Sequence, residues 1–139
     1  MREQKTSWPW LTILLAVVNT AIFVLIWRQA SYGELSNPLL LDWGANFAPY
    51  TLTGQPWRLL TSAFLHGGWT HLLLNMYMLI VLGTVLERTG GMLRFGVAYL
   101  LSALGGSLLS ALWHGYHEVG STSFAFGVAL EASGIRPVV

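Results

Sequence analysis

Charged side chains divide this chain into long apolar runs. No Asp, Glu, Lys or Arg occurs in Thr6–Trp27 (22 residues), Leu59–Leu86 (28), Phe95–His117 (23) or Val119–Leu130 (12). A helix that crosses the hydrocarbon core of a bilayer needs about 20 mostly apolar residues at 1.5 Å each. The first and third runs meet that length directly. The second does so once its front end, up to residue 69, is read as an approach to the membrane. The fourth is too short and stops at Glu131, with Arg136 and Pro137 close behind. The pattern therefore predicts full spans at 8–27, 70–86 and 94–113 and an incomplete fourth at 119–130, all within one domain covering 1–139. A connection at 28–69 and a tail at 131–139, which does not continue a transmembrane helix, complete it. The expected fold class is an all-α polytopic membrane protein, a helical bundle with three full transmembrane helices and part of a fourth.

The ends of the runs agree with this reading. Ser7-Trp8-Pro9-Trp10 offers Ser7 as an N-cap and tryptophans at headgroup depth, and Trp27-Arg28 closes the first span as an interfacial pair. That run is too long, and its end too bulky, for a cleaved signal peptide. Arg2, Lys5, Arg88, Arg94 and Arg136 fall on one side, leaving only Arg28 and Arg58 on the other. The positive-inside rule then places the N-terminus in the cytoplasm, and a bacterial inner membrane is the expected location. His114–Glu118 is expected to form a short outer loop. The connection at 28–69 is peculiar, because between Gln29 and Thr70 it holds only Glu34, Asp42 and Arg58 as charges. It carries Leu39-Leu40-Leu41, Trp43, Phe47, Tyr50, Trp57 and Phe64 instead, so it is expected to lie in the interface or against the bundle.

Composition excludes the other classes. Only 9% of the 139 residues are charged, 54% are apolar, and the net charge is +1. A soluble domain carries about 25% charged residues. No basic footprint for nucleic acid is present. The chain has no cysteine, which removes disulfides, thiolate metal sites and a cysteine nucleophile.

Candidate chemistry lies at the start of the second span. His71 and Asn75 are four residues apart and so share one helix face near its outer end. Polar groups at that depth mark a site or an interhelical hydrogen bond. Two neutral donors stacked on one face suit a developing oxyanion in acyl transfer. His66 lies five residues before His71, about 140° away on an ideal helix, so the two are not expected to converge on a metal. His114 and His117 read as solvated loop histidines, and neither a metal nor a cofactor is expected. Asn19, mid-span, is expected to bond a neighbouring helix. Ser102, Gly106 and Ser110 form a small-residue stripe expected to pack on spans two and four rather than to drive dimers. Glu87 is expected to cap local backbone near Arg88 and Gly91.

These residues resemble the rhomboid intramembrane serine proteases. The similarity runs through Trp43-Gly44-Ala45-Asn46, Gly54-Gln55-Pro56, Trp57-Arg58, Phe64-Leu65-His66 and His71-x-x-x-Asn75-Met76. It continues through Gly83, Leu86-Glu87-Arg88, Gly91, Arg94-Phe95 and Tyr99-Leu100, over about residues 10–127. The resemblance implies that His71 and Asn75 form an oxyanion hole, that the loop around Trp57-Arg58 is half submerged, and that the partners are lipid and the transmembrane helices of client proteins.

The match weakens at the nucleophile. The family's Gly-x-Ser-Gly aligns with Gly120-Ser121-Thr122-Ser123, so the nucleophile position falls on Thr122 and the following glycine is Ser123. The β-methyl of threonine restricts χ1 and crowds attack. The family's base comes from a glycine-rich sixth span, and the chain ends at Val139 before a fifth. A nucleophile without its base loses orders of magnitude in rate. The expectation is a truncated or frame-shifted rhomboid-type endopeptidase without hydrolytic power; the alternative is a pseudoprotease that binds transmembrane helices without cleaving them.

Overall fold

The computed structural model describes residues 8–31 and 33–118. The incomplete fourth span at 119–130, the tail at 131–139 and the Ser7 cap lie outside the described residues. Among the described residues three helices are long and apolar enough to cross a membrane: α1 (Trp10–Trp27), α5 (Trp69–Gly90) and α6 (Met92–Glu118). Between them, the connection forms three short helices, α2 (Asn37–Asp42), α3 (Ala48–Thr53) and α4 (Arg58–Thr61), the last running into a 3₁₀ turn at Ser62–Phe64. Among the described residues there is no strand, only an isolated bridge between Ser31 and Glu34. This is an all-α membrane bundle.

The spans depart from their predicted limits at both ends of the bundle, and α5 runs on to Gly90. At the end facing the connection the change is in α6. The helix of the third span runs through Glu118, so 114–118 is helix rather than the expected outer loop. His114 accordingly sits on α6, where its Nδ1–H donates to the Ser110 carbonyl at 2.8 Å. At the other end, α1 begins after Pro9, which offers no side-chain cap. The cap comes from across the bundle. The Glu87 carboxylate accepts from the Leu11 and Thr12 backbone N–H groups at 2.9 and 2.8 Å and from the Thr12 hydroxyl at 2.8 Å. An anion at the N-terminus of a helix satisfies its orphan donors and complements its dipole. The expectation of a local cap near Arg88 is corrected here, because the donors of the last turn of α5 are already bonded within the helix, whereas those of the first turn of α1 are open.

That clamp fixes α1 antiparallel to α5. At the opposite end Phe23, Trp27 and Trp69 cluster, with ring centroids 4.8–5.5 Å apart. Gly83 lies where α1, α5 and α6 meet. A Cβ there would sit 2.9 Å from Thr12 Oγ1 and 3.0 Å from Phe95 Cζ, so the close approach requires glycine. Asn19, although buried, donates to its own Leu15 carbonyl at 2.7 Å rather than to another helix. That local acceptor, one turn back, already meets the amide's need.

The connection docks on α6. Asn46 Nδ2 donates to the Ser107 carbonyl at 2.6 Å, and the Ser62 and Ser107 hydroxyls are 3.1 Å apart. Phe95 and Ala111 are buried and Tyr99, Ala103 and Ser107 partly so, an i, i+4 row along one side of α6. The stripe Ser102, Gly106 and Ser110 lies one position away, about 100° round the helix. It is exposed, and nothing lies within 4 Å of where a Gly106 Cβ would be. Of the stripe, Ser102 lines the cavity beside α5; span four, the other expected partner, lies outside the described residues.

Candidate oxyanion site at the start of the second span

The loop that delivers the site is held by one guanidinium. Arg58 is buried and donates through Nε to Gln55 Oε1 at 2.6 Å and through an Nη to the Leu41 and Ala45 carbonyls at 2.8 and 3.0 Å. It also lies over the Trp57 and Tyr50 rings, 4.7 and 5.4 Å from their centroids. A planar fork of five donors suits such a convergent set, and the aromatic faces cover the charge. Beside it, Thr61 Oγ1 donates to the Gly44 carbonyl at 2.7 Å. Gly44 has φ +94°, and a Cβ there would lie 2.7 Å from that hydroxyl. Glycine is required on both counts.

Leu65 is extended, and Gly67-Gly68 interrupts the chain before α5 starts at Trp69. His71 and Asn75 therefore stand in the first two turns of α5, on one face. Both are exposed, and among the described residues neither side chain makes a hydrogen bond. Asn75 lines a cavity of about 440 Å³ between α5 and α6, together with His66, Asn19, Tyr99 and Ser102. Thr122, the predicted nucleophile position, lies outside the described residues.

His66 departs from expectation. It is not on the helix, so the ideal-helix angle to His71 does not apply. The glycine pair folds it back, and its ring centroid lies 5.2 Å from that of His71 with the rings at 64°. His66 is 3% exposed, and its Nδ1 is buried without a hydrogen-bond partner among the described residues. Burial holds its pKa below the ordinary histidine value, nearby His71 charge adds to the lowering, and the Phe64 carbonyl opposes it. The signal that could have revealed this neighbour is Gly67-Gly68, a break that starts the helix after His66. Among the described residues no three His, Cys, Asp or Glu side chains gather.

The rhomboid domain family model matches residues 53–133. The chain belongs to the rhomboid family. That match covers Arg58, His71, Asn75 and all of α6. Rhomboid-like protein 4 of Arabidopsis thaliana is 32% identical over 92% of this rhomboid chain and 39% of its own length. Rhomboid protease AarA of Providencia stuartii is 34% identical over 81% of the chain and 40% of its own. Rhomboid-like protease 1 of Toxoplasma gondii is 37% identical over 65% and 31%. The chain thus spans about 40% or less of the length of these relatives. No solved structure matches it significantly.

Proposed function

We propose that this rhomboid chain supplies the oxyanion-binding side of an intramembrane serine-type endopeptidase site. It receives transmembrane segments of other membrane proteins at the His71 end of α5. The observation that carries the reading is the pair His71 and Asn75, one turn apart on one face of α5 and without a hydrogen bond among the described residues, with Asn75 lining a cavity. Peptide hydrolysis passes through a tetrahedral oxyanion, and preorganised donors there contribute most of the electrostatic stabilisation. The names of the Providencia and Toxoplasma relatives, both given as proteases, agree with that chemistry.

With Thr122 where a serine is needed, we read the chain as a holder of client helices rather than an efficient hydrolase. The basic residues Arg88 and Arg94 flank the α5–α6 turn, at the end shared with the N-terminus of α1. This favours an orientation in a bacterial inner membrane with the N-terminus cytoplasmic. The test is the full chain in proteoliposomes with a labelled transmembrane substrate and a serine-reactive phosphonate. The expected result is client co-purification that weakens on His71→Ala, with neither cleavage nor labelling. Labelling abolished by Thr122→Val overturns the non-cleaving reading.

A further inference from the structure

We propose that His66, His71 and Asn75 form a binding site for a borderline divalent transition metal of the Zn²⁺ class, seated at the mouth of the cavity between α5 and α6. The first ground is distance. Two imidazole nitrogens about 2.0–2.1 Å from one tetrahedral Zn²⁺ bring their ring centroids to about 5 Å. The His66 and His71 rings stand at 5.2 Å with their planes inclined by 64°, neither stacked nor splayed apart.

The second ground is the orphaned atom. Among the described residues His66 Nδ1 is buried without a partner, in a residue 3% exposed. Such a group costs stability unless something satisfies it, and an ion is one of the few explanations. The third ground is the ligand field. Asn75 lies one turn from His71 on the same face and lines the same cavity as His66, so its amide oxygen adds a harder donor. Two imidazoles and a neutral oxygen suit Zn²⁺ or Cu²⁺ rather than Ca²⁺ or Mg²⁺, which want several carboxylates or carbonyls. The cavity, about 440 Å³, has room for water to complete the shell.

Occupancy would take over His71 and Asn75 as donors, so the metal would act as an inhibitor; that consequence, unlike binding itself, rests on the oxyanion reading. The test uses the full chain without a polyhistidine tag, with His114→Ala and His117→Ala introduced to remove a competing i, i+3 pair. Cu²⁺ is the spectroscopic probe, being bound at least as tightly as Zn²⁺ by nitrogen sites. The expected electron paramagnetic resonance spectrum shows two nitrogens at one equivalent of Cu²⁺. Zn²⁺ should displace it, and His71→Ala should weaken binding at least tenfold. A one-nitrogen spectrum, or binding unchanged by His71→Ala, overturns the site. Because the nitrogen count is read with His66 in place, it stands even if His66→Ala does not fold. Two-nitrogen binding without inhibition of cleavage, measured in a protease carrying this segment, would contradict the oxyanion reading and leave the metal site standing.

Discussion

Single side chains carry large tasks in this chain because so few are polar. Arg58 gathers Gln55, Leu41 and Ala45 into one knot, and the Trp57-Arg58 pair that marks it is visible in the sequence as a family feature. His66 is legible there only as a residue type. Its position depends on where α5 begins, and helix starts are fixed by local breaks that periodicity does not see. Its burial has a measurable consequence. His66 titrates below the ordinary value of about 6.5, with desolvation as the main cause and His71 the facing titratable group. The unfolded chain therefore binds a proton that the folded chain refuses. The His66 contribution is complete above about pH 6.5 and is lost as pH falls towards the lowered value, with a slope of at most about 1.4 kcal/mol per pH unit. Thermal midpoints in detergent between pH 7 and 5 should fall for the parent chain and fall less for His66→Gln. Equal slopes would remove His66 as the cause.

At the scale of elements, the spans are readable because charge is excluded from about 20 consecutive residues by the bilayer itself. What joins them is not. Glu87 lies 75 residues from Thr12, and nothing in the local sequence says which open helix end a carboxylate will meet. Replacing it with alanine strands the buried Thr12 N–H and hydroxyl and the half-buried Leu11 N–H. The expected cost of Glu87→Ala is about 2–4 kcal/mol, seen as a lower midpoint and as faster amide exchange confined to the first turn of α1. An unchanged midpoint would mean that the clamp is incidental. The row of α6 that meets the connection is hidden from the sequence pattern for a related reason. Small residues at 102, 106 and 110 permit close approach, but the row at 95, 99, 103, 107 and 111 is where the connection supplies partners. That connection, expected to lie in the interface or against the bundle, folds into short helices, of which α3 and α4 pack on α6, with Ser36 and Pro38 starting α2.

For the whole molecule, the arrangement puts the N-terminus of α1 and the α5–α6 turn at one end and His71 with the connection at the other. The charge pattern predicts which end faces the cytoplasm. The chain has no cysteine, so single cysteines report without background. Gly33→Cys should react with an impermeant maleimide in intact cells, and Thr89→Cys only after permeabilisation; the reverse pattern would invert the orientation. The central claim is that His71 and Asn75 are oxyanion donors. Its most direct measurement places residues 53–118 of this chain in the matching part of the Providencia rhomboid protease and follows cleavage of a transmembrane substrate. The expected result is a cleaving chimera in which His71→Ala or Asn75→Ala lowers kcat by about 10²–10³ with KM little changed. A cleaving chimera whose kcat is indifferent to both substitutions would contradict it.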